Sequence, residues 1–258
     1  RASVINAMKS WYNPNANFNV IDIYRPIDYA EVSHVSIKAD IISVDHGSFT
    51  GDSGGAQSAI RMVSGDTIRI SGETDIMQFD LVELNAHSVE VMKGIDIESK
   101  VNLDPLSNQD FYSGFFVVNS DGSTKLSGGS LLGSLVVSAG DDITVADMDM
   151  GYGETKVGSD VFKLDAGGNI YLGQGELGVN GTVFSRMLNI EGRDVHIKGY
   201  GLMSQSGLGI TGSNRIELEG PTGINTNVTG AQKLEIKAPE VYIKEGVHIF
   251  AQLAKHFD

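Results

Sequence analysis

Pairs of aliphatic residues separated by a single residue recur along the sequence, and they limit what the chain can fold into. The pairs are Ile68/Ile70, Val89/Val91, Ile95/Ile97, Val101/Leu103, Leu188/Ile190, Val195/Ile197, Leu208/Ile210, Ile216/Leu218, Leu234/Ile236, Val241/Ile243 and Val247/Ile249. A period of two places both aliphatic side chains on one face of an extended strand. Turn formers such as Gly192, Gly199 and Pro239 separate the pairs. The pattern predicts an all-β fold with strands of about three to five residues.

The glycines divide the chain into three parts. All 32 glycines lie between Gly47 and Gly246. We therefore predict an N-terminal docking or cap segment (residues 1–46), a glycine-punctuated β-helical shaft (residues 47–246) and a C-terminal cap or tip (residues 247–258).

Both end segments carry apolar patterns of their own. Residues 2–11 can form an amphipathic helix, and residues 18–24 read as a strand. The only Trp lies in this first segment, so residues 1–46 are a candidate docking surface. At the other end, Ile249, Phe250, Leu253 and Phe257 are expected to line one side of a short helix.

Composition excludes several functions. The chain has 33 acidic and 19 basic residues, a formal net charge of -14, which disfavours binding to nucleic acid. It has no cysteine, so disulfides, thiolate chemistry and cysteine-based metal sites are excluded. No apolar run reaches the roughly 18 to 20 residues of a membrane span, so no embedded membrane segment is expected.

The spacing of the strands favours a coil over a β-sandwich. Strand and turn together take about seven residues, so each strand buries about two side chains and stability must come from stacking along an axis. The coil could be wound by one chain or interwoven from three. Because no repeat of about 20 residues with identical stacked side chains is visible, we expect an interwoven, triple-stranded β-helix.

Three segments carry a resemblance to a known class of protein. Residues 115–145 and 161–190 share one plan, in which an aromatic-led strand is followed by an Asp/Asn-Gly turn, a short strand, a Gly-rich crossing and another apolar strand; residues 214–243 read as stacked short strands. They resemble the triple-stranded β-helices of bacteriophage tail fibres, tailspikes and central spikes. The resemblance implies a homotrimeric structural protein of the virion tail. Its implied partners are a tail or baseplate protein at residues 1–46 and a host-surface glycan or protein.

Two alternatives remain open. The same segments resemble, more loosely, sarcoglycan ectodomains, an extracellular β-helical part of a membrane complex; glycans at Asn180 and Asn227 would favour this alternative. A glycan-cleaving tailspike would need paired carboxylates and sugar-stacking aromatics, for which Tyr152, Tyr171 and Tyr200 are available but scattered. We expect no enzyme activity, and we assign no catalytic, cofactor-binding or metal-binding residue.

Local motifs do not change this interpretation. Gly51–Gly55 spells GDSGG, the sequence around a serine-protease nucleophile, but His34 and His46 lie too near Ser53 to belong to a separate barrel. We interpret it as a turn.

Two groups of side chains could be considered as ion sites, but we favour another interpretation of each. The acidic group Asp141, Asp142, Asp147, Asp149 and Glu154 is expected to be a solvated loop rather than a calcium site. Three copies of His248 and His256 could meet on a trimer axis, but we expect His248 on the outer face of the last strand.

Overall fold

A computed structural model shows that the described part of the chain is built from strands. It describes residues 33–51, 58–92, 95–99, 101–104, 109–112, 114–150, 159–173, 181–228 and 233–253. These residues contain strands and turns but no helix, which confirms the predicted all-β class. They also contain no helix long and apolar enough to cross a membrane.

The strands, in chain order, are β1 (Ser33–Asp45), β2 (Ser48–Thr50), β3 (Ser58–Ser71), β4 (Thr74–Phe79), β5 (Leu81–Ala86), β6 (Ser88–Val91), β7 (Ile95–Ser99), β8 (Val101–Asp104), β9 (Gln109–Tyr112), β10 (Phe115–Ser120), β11 (Thr124–Leu132), β12 (Ser134–Ala139), β13 (Ile143–Asp149), β14 (Ser159–Ala166), β15 (Ile170–Gly173), β16 (Gly181–Lys198), β17 (Tyr200–Glu219), β18 (Thr222–Val228), β19 (Leu234–Lys237), β20 (Glu240–Ile243) and β21 (Val247–Leu253).

Parallel pairing arranges these strands in three columns. A column is a stack of strands in which strands pair with their neighbours along the stack. The first column contains β1, β3, β5, β10, β12, β14, β16, β17 and β19. The second contains β1, β3, β6, β11, β13, β15, β16, β17 and β20. The third contains β2, β4, β7, β11 and β13, and then β16, β17, β18 and β21. The chain crosses each column in turn and returns to the first column one strand further along the stack.

Long strands join the first two columns at both ends. Because β3 and β16 lie in both columns, ten parallel strands form a closed ring of pairings: β3, β5, β10, β12, β14, β16, β15, β13, β11 and β6. Register shifts at Ser185/Met187 and at Gly192/Asp194 mark where β16 bends from one column into the next.

One chain supplies every strand of these columns, which corrects the expectation of an interwoven trimeric helix. Phe115 pairs with Ser134, 19 residues later, whereas Leu81 pairs with Phe115, 34 residues later. The longer turn contains β8 and β9, the one antiparallel pair among the described strands. Because turn length varies this widely, the single-chain repeat cannot be read from the sequence.

Aliphatic side chains stack in continuous rows inside the coil. In the first column the row runs through Leu84, Val118, Val137, Leu164, Ile190 and Ile210, all fully buried. The sequence pairs Val195/Ile197 and Ile216/Leu218 lie side by side in the second column and are also buried, as predicted. Burial of such rows is the main favourable contribution to stability.

Stacked glycines form the corner between the first and second columns. Gly140 N donates to Ser120 O, and Gly167 N donates to Ala139 O one turn later, both at 2.9 Å. A Cβ on Gly140 would lie 2.1 Å from Asp121 O. Only glycine allows successive turns to approach this closely, so at this corner the glycines mark a rigid bend.

The two predicted end segments contribute strands to the coil. β1, which belongs by sequence to segment 1–46, pairs with β3 in the first turn. At the other end, Val247–Leu253 is strand β21 and pairs with β18. The helix expected near the C-terminus is therefore wrong for these seven residues, because strand pairing overrides their weak helical pattern. The helix expected at residues 2–11 and the strand at 18–24 lie outside the described residues.

Candidate functional site

Charged side chains from successive turns meet on the outer face of the second column. The inward side chains of β16 and β17 alternate with outward ones, so Val195 and Ile197 enter the core while His196 and Lys198 face out. In register with them, Glu217 and Glu219 project from β17. We call His196, Lys198, Glu217, Glu219 and Lys244 the outer cluster.

Ion pairs connect three turns of the coil in this cluster. Lys198 Nζ lies 2.7 Å from Glu219 Oε1, within one pair of neighbouring strands. Lys244, which follows β20, approaches Glu219 Oε2 at 3.3 Å and also pairs with Glu217. Two carboxylates are thus balanced by two ammonium groups.

These ion pairs lower the pKa values of the two glutamates and raise those of the two lysines, so that the charged form of each group is favoured. The hydrogen bond from Lys198, followed by that from Lys244, lowers the pKa of Glu219 below its ordinary value. The hydrogen bond from Lys244 lowers the pKa of Glu217. In return, Glu219 raises the pKa of Lys198, and Glu217, followed by Glu219, raises the pKa of Lys244. The charged forms are therefore favoured throughout the neutral range.

His196 completes the cluster beside Glu219. Its ring packs edge-on against Tyr171 of the preceding turn, with centroids 5.3 Å apart. Its Nε2 is shielded from solvent, has no hydrogen-bond partner and lies 3.8 Å from Glu219 Oε2. Ligand atoms of His196, Glu217 and Glu219 all lie within 4.8 Å of one another. Among the described residues, this is the one group of at least three His, Asp or Glu side chains close enough to share a metal ion.

A second exposed feature lies at the last turn. His248 and Phe250 project from the outer face of β21 and stack with centroids 6.3 Å apart. Phe250 is 58% exposed, and Tyr242 of β20 is 49% exposed. His248 thus lies on the outer face, as expected. His256 is outside the described residues.

The other sequence motifs are dispersed. Asp141 and Asp142 are exposed at the glycine corner, whereas Asp147 is buried at the far end of β13, so these acidic residues do not converge. Asp142 Oδ1 accepts a hydrogen bond from the backbone N of Asn169 at 2.6 Å, a role in the turn. Ser53 of GDSGG and Glu154 lie outside the described residues.

The three candidate tyrosines have different positions. Tyr171 borders the outer cluster, Tyr200 is fully buried and unable to stack on a sugar, and Tyr152 lies outside the described residues.

Sequence reasoning missed the outer cluster. His196 and Glu217 are 21 positions apart, and the strand register alone brings them together. The available signal was local: charged residues alternate with the aliphatic pairs at His196/Lys198 and at Glu217/Glu219.

No protein-family model, characterised protein or solved structure matches the chain.

Proposed function

We propose that this chain is a non-catalytic structural protein, a rigid coiled segment of a fibre or spike such as those of phage tails. The observation that carries the proposal is the continuous stacking of buried aliphatic rows through successive turns of one chain. Nine strands stacked in the first column at ~4.8 Å give a coil about 40 Å tall. A solid core of this kind keeps the two ends of the coil at a fixed separation and transmits force between them, which is what a spacer segment of a fibre requires.

The exterior supports the same function. Side chains on neighbouring turns pair across the strands, as Arg69 does with Glu90 at 3.3 Å and Arg61 with the buried Glu83 at 3.3 Å. Such pairs align adjacent turns, and the net negative charge disfavours association with nucleic acid and nonspecific aggregation. In this proposal the expected homotrimer is an association of three complete coils, and residues 1–46 join the coil to a tail or baseplate protein.

Hydrogen exchange measured by mass spectrometry tests the rigidity. A spacer should show slow exchange throughout β10 to β17, with these strands opening together rather than one at a time. Fast exchange in any one column would contradict a rigid segment.

Immunogold labelling tests the place in an assembly. Antibodies against the coil should label thin projections of intact particles at a constant distance from the particle body. Diffuse labelling inside cells would argue against a fibre or spike.

The exposed aromatic residues favour a second role, contact with a surface glycan at the last turn. Phe250 and His248 form a ring platform beside Gly223, where no atom lies within 4 Å of an added Cβ. Aromatic faces at exposed sites are suited to binding the apolar faces of ligands. Phe250→Ala should abolish binding on a glycan array if this platform is used, whereas Tyr29→Ala, in the N-terminal segment, should not.

A further inference from the structure

One nitrogen of the outer cluster has no hydrogen-bond partner. His196 Nε2 is shielded from solvent and lies 3.8 Å from Glu219 Oε2, which is too long for a hydrogen bond. The carboxylate of Glu217 is close to both, since the three ligand atoms fall within 4.8 Å of one another. A polar atom shielded from water is unfavourable unless something binds it.

We propose that His196, Glu217 and Glu219 form a zinc-binding site on the outer face of the coil. Zinc binds imidazole nitrogen and carboxylate oxygen at about 2.0–2.2 Å, so two ligand atoms on one ion lie roughly 3–4 Å apart. The separation of His196 Nε2 and Glu219 Oε2 falls in this range. The Glu217 ligand atom lies within 4.8 Å of the other two. A small approach of these side chains brings all three onto one ion, and water completes the tetrahedral coordination. The proposal does not depend on the chain belonging to a fibre.

The two lysines act as competitors for the same carboxylates. Lys244 is half exposed, and Lys198 is also partly exposed, so both ammonium groups can move into solvent without breaking packing in the core. Exposed ion pairs are weak, whereas imidazole and carboxylate ligands together suit zinc. When an ion binds, its double positive charge replaces the charge that the displaced lysines supplied to Glu217 and Glu219.

A bound ion would cross-link successive turns. His196 belongs to β16 and both glutamates belong to β17, so the ligands lie on two neighbouring strands of the second column. Because the ion binds only when these strands are in register, zinc should stabilise the folded coil.

The test is titration of the full chain at neutral pH with Co²⁺, whose visible absorption reports tetrahedral coordination, followed by competition with Zn²⁺. We expect saturable absorption from one site and its loss when Zn²⁺ is added. His196→Phe keeps an aromatic ring against Tyr171 but removes the nitrogen, and it should weaken Co²⁺ binding at least about tenfold. Lys244→Met removes a competing ammonium and should tighten binding several-fold.

Matched controls separate the site from nonspecific binding. His87→Phe removes another exposed histidine beside a carboxylate, since His87 Nδ1 lies 2.8 Å from Asp121 Oδ1, and it should leave the titration unchanged. Circular dichroism of each variant checks that the fold is retained. The proposal would be overturned if neither the wild type nor Lys244→Met bound Co²⁺. It would also be overturned if a folded His196→Phe variant bound Co²⁺ as tightly as the wild type.

Thermal unfolding gives a second readout. Zinc should raise the unfolding temperature of the wild type and of His87→Phe, but not that of His196→Phe. An equal rise in all three would show that zinc binds elsewhere.

Discussion

At the scale of single residues, Tyr200 has a structural role. Its hydroxyl donates to Met148 O at 3.0 Å and accepts from Met148 N at 3.2 Å. It therefore satisfies two backbone groups of β13. Gly181 accommodates the ring, since a Cβ there would lie 2.1 Å from Tyr200 Cζ.

Tyr200→Phe should destabilise the coil by about 1–3 kcal/mol, because it leaves the two backbone groups of Met148 buried without this partner. Urea unfolding followed by circular dichroism measures the change. The matched control is Tyr242→Phe, which removes an exposed hydroxyl 3.2 Å from Glu240 Oε2 and should change stability by less than ~0.5 kcal/mol. Equal effects of the two substitutions would contradict the role assigned to Tyr200.

The outer cluster should make stability depend on pH at both ends of the range. The pKa values of Glu217 and Glu219 are lowered on folding, so their contribution is complete above the unfolded value of about 4.3 and is lost as the pH falls through the lowered pKa. The pKa values of Lys198 and Lys244 are raised, so their contribution is complete below about 10.4 and is lost as the pH rises through the raised pKa.

Lys244→Met should flatten the acid side of this dependence, because Lys244 is the main cause of the lowered pKa of Glu217. The measurement is the urea midpoint of wild type and variant between about pH 5 and pH 3. Lys38→Met, at an exposed position of the first turn, should retain the wild-type slope. A variant slope as steep as that of the wild type would show that the pairing of Lys244 with Glu217 does not contribute to the acid side.

At the scale of elements, glycine corners and outward strand positions differ in the space that they leave for a side chain. Gly140→Ala should cost about 1–3 kcal/mol or prevent folding, because its Cβ would collide with Asp121 O at 2.1 Å. Gly223→Ala, in β18, has open space around the new methyl group and should be neutral or slightly stabilising. Urea unfolding of both variants distinguishes a tight corner from an open face, and equal losses would contradict the corner geometry.

The sequence predicts the strands of this coil better than their partners. Period-two alternation at Val195/Ile197 and Leu208/Ile210 correctly indicates strands with one buried face, because alternation depends only on local geometry. Pairing depends on turn length, which β8 and β9 extend in one turn. For the same reason the meeting of His196 with Glu217 could not be predicted, whereas their outward orientation could.

At the scale of the whole molecule, intrachain pairing separates folding from association. An interwoven trimer would bury its strands only with two other chains, and dilution would unfold it. Here the rows of buried side chains, from Ile60 in β3 to Ile224 in β18, belong to one chain. Association of complete coils can therefore be lost without loss of the strands.

We expect the far-ultraviolet circular dichroism spectrum and the urea midpoint to stay constant over about a hundredfold dilution, even where light scattering shows the mass falling towards that of one 27.5 kDa chain. Tyr200→Phe provides a control for sensitivity, because its lowered midpoint must be detectable at every concentration. A midpoint that falls with dilution would mean that other chains contribute to the fold, and it would restore the interwoven trimer. A constant midpoint with changing mass would place association on the outer faces or ends of finished coils, where Val35, Ile41 and Phe250 remain exposed.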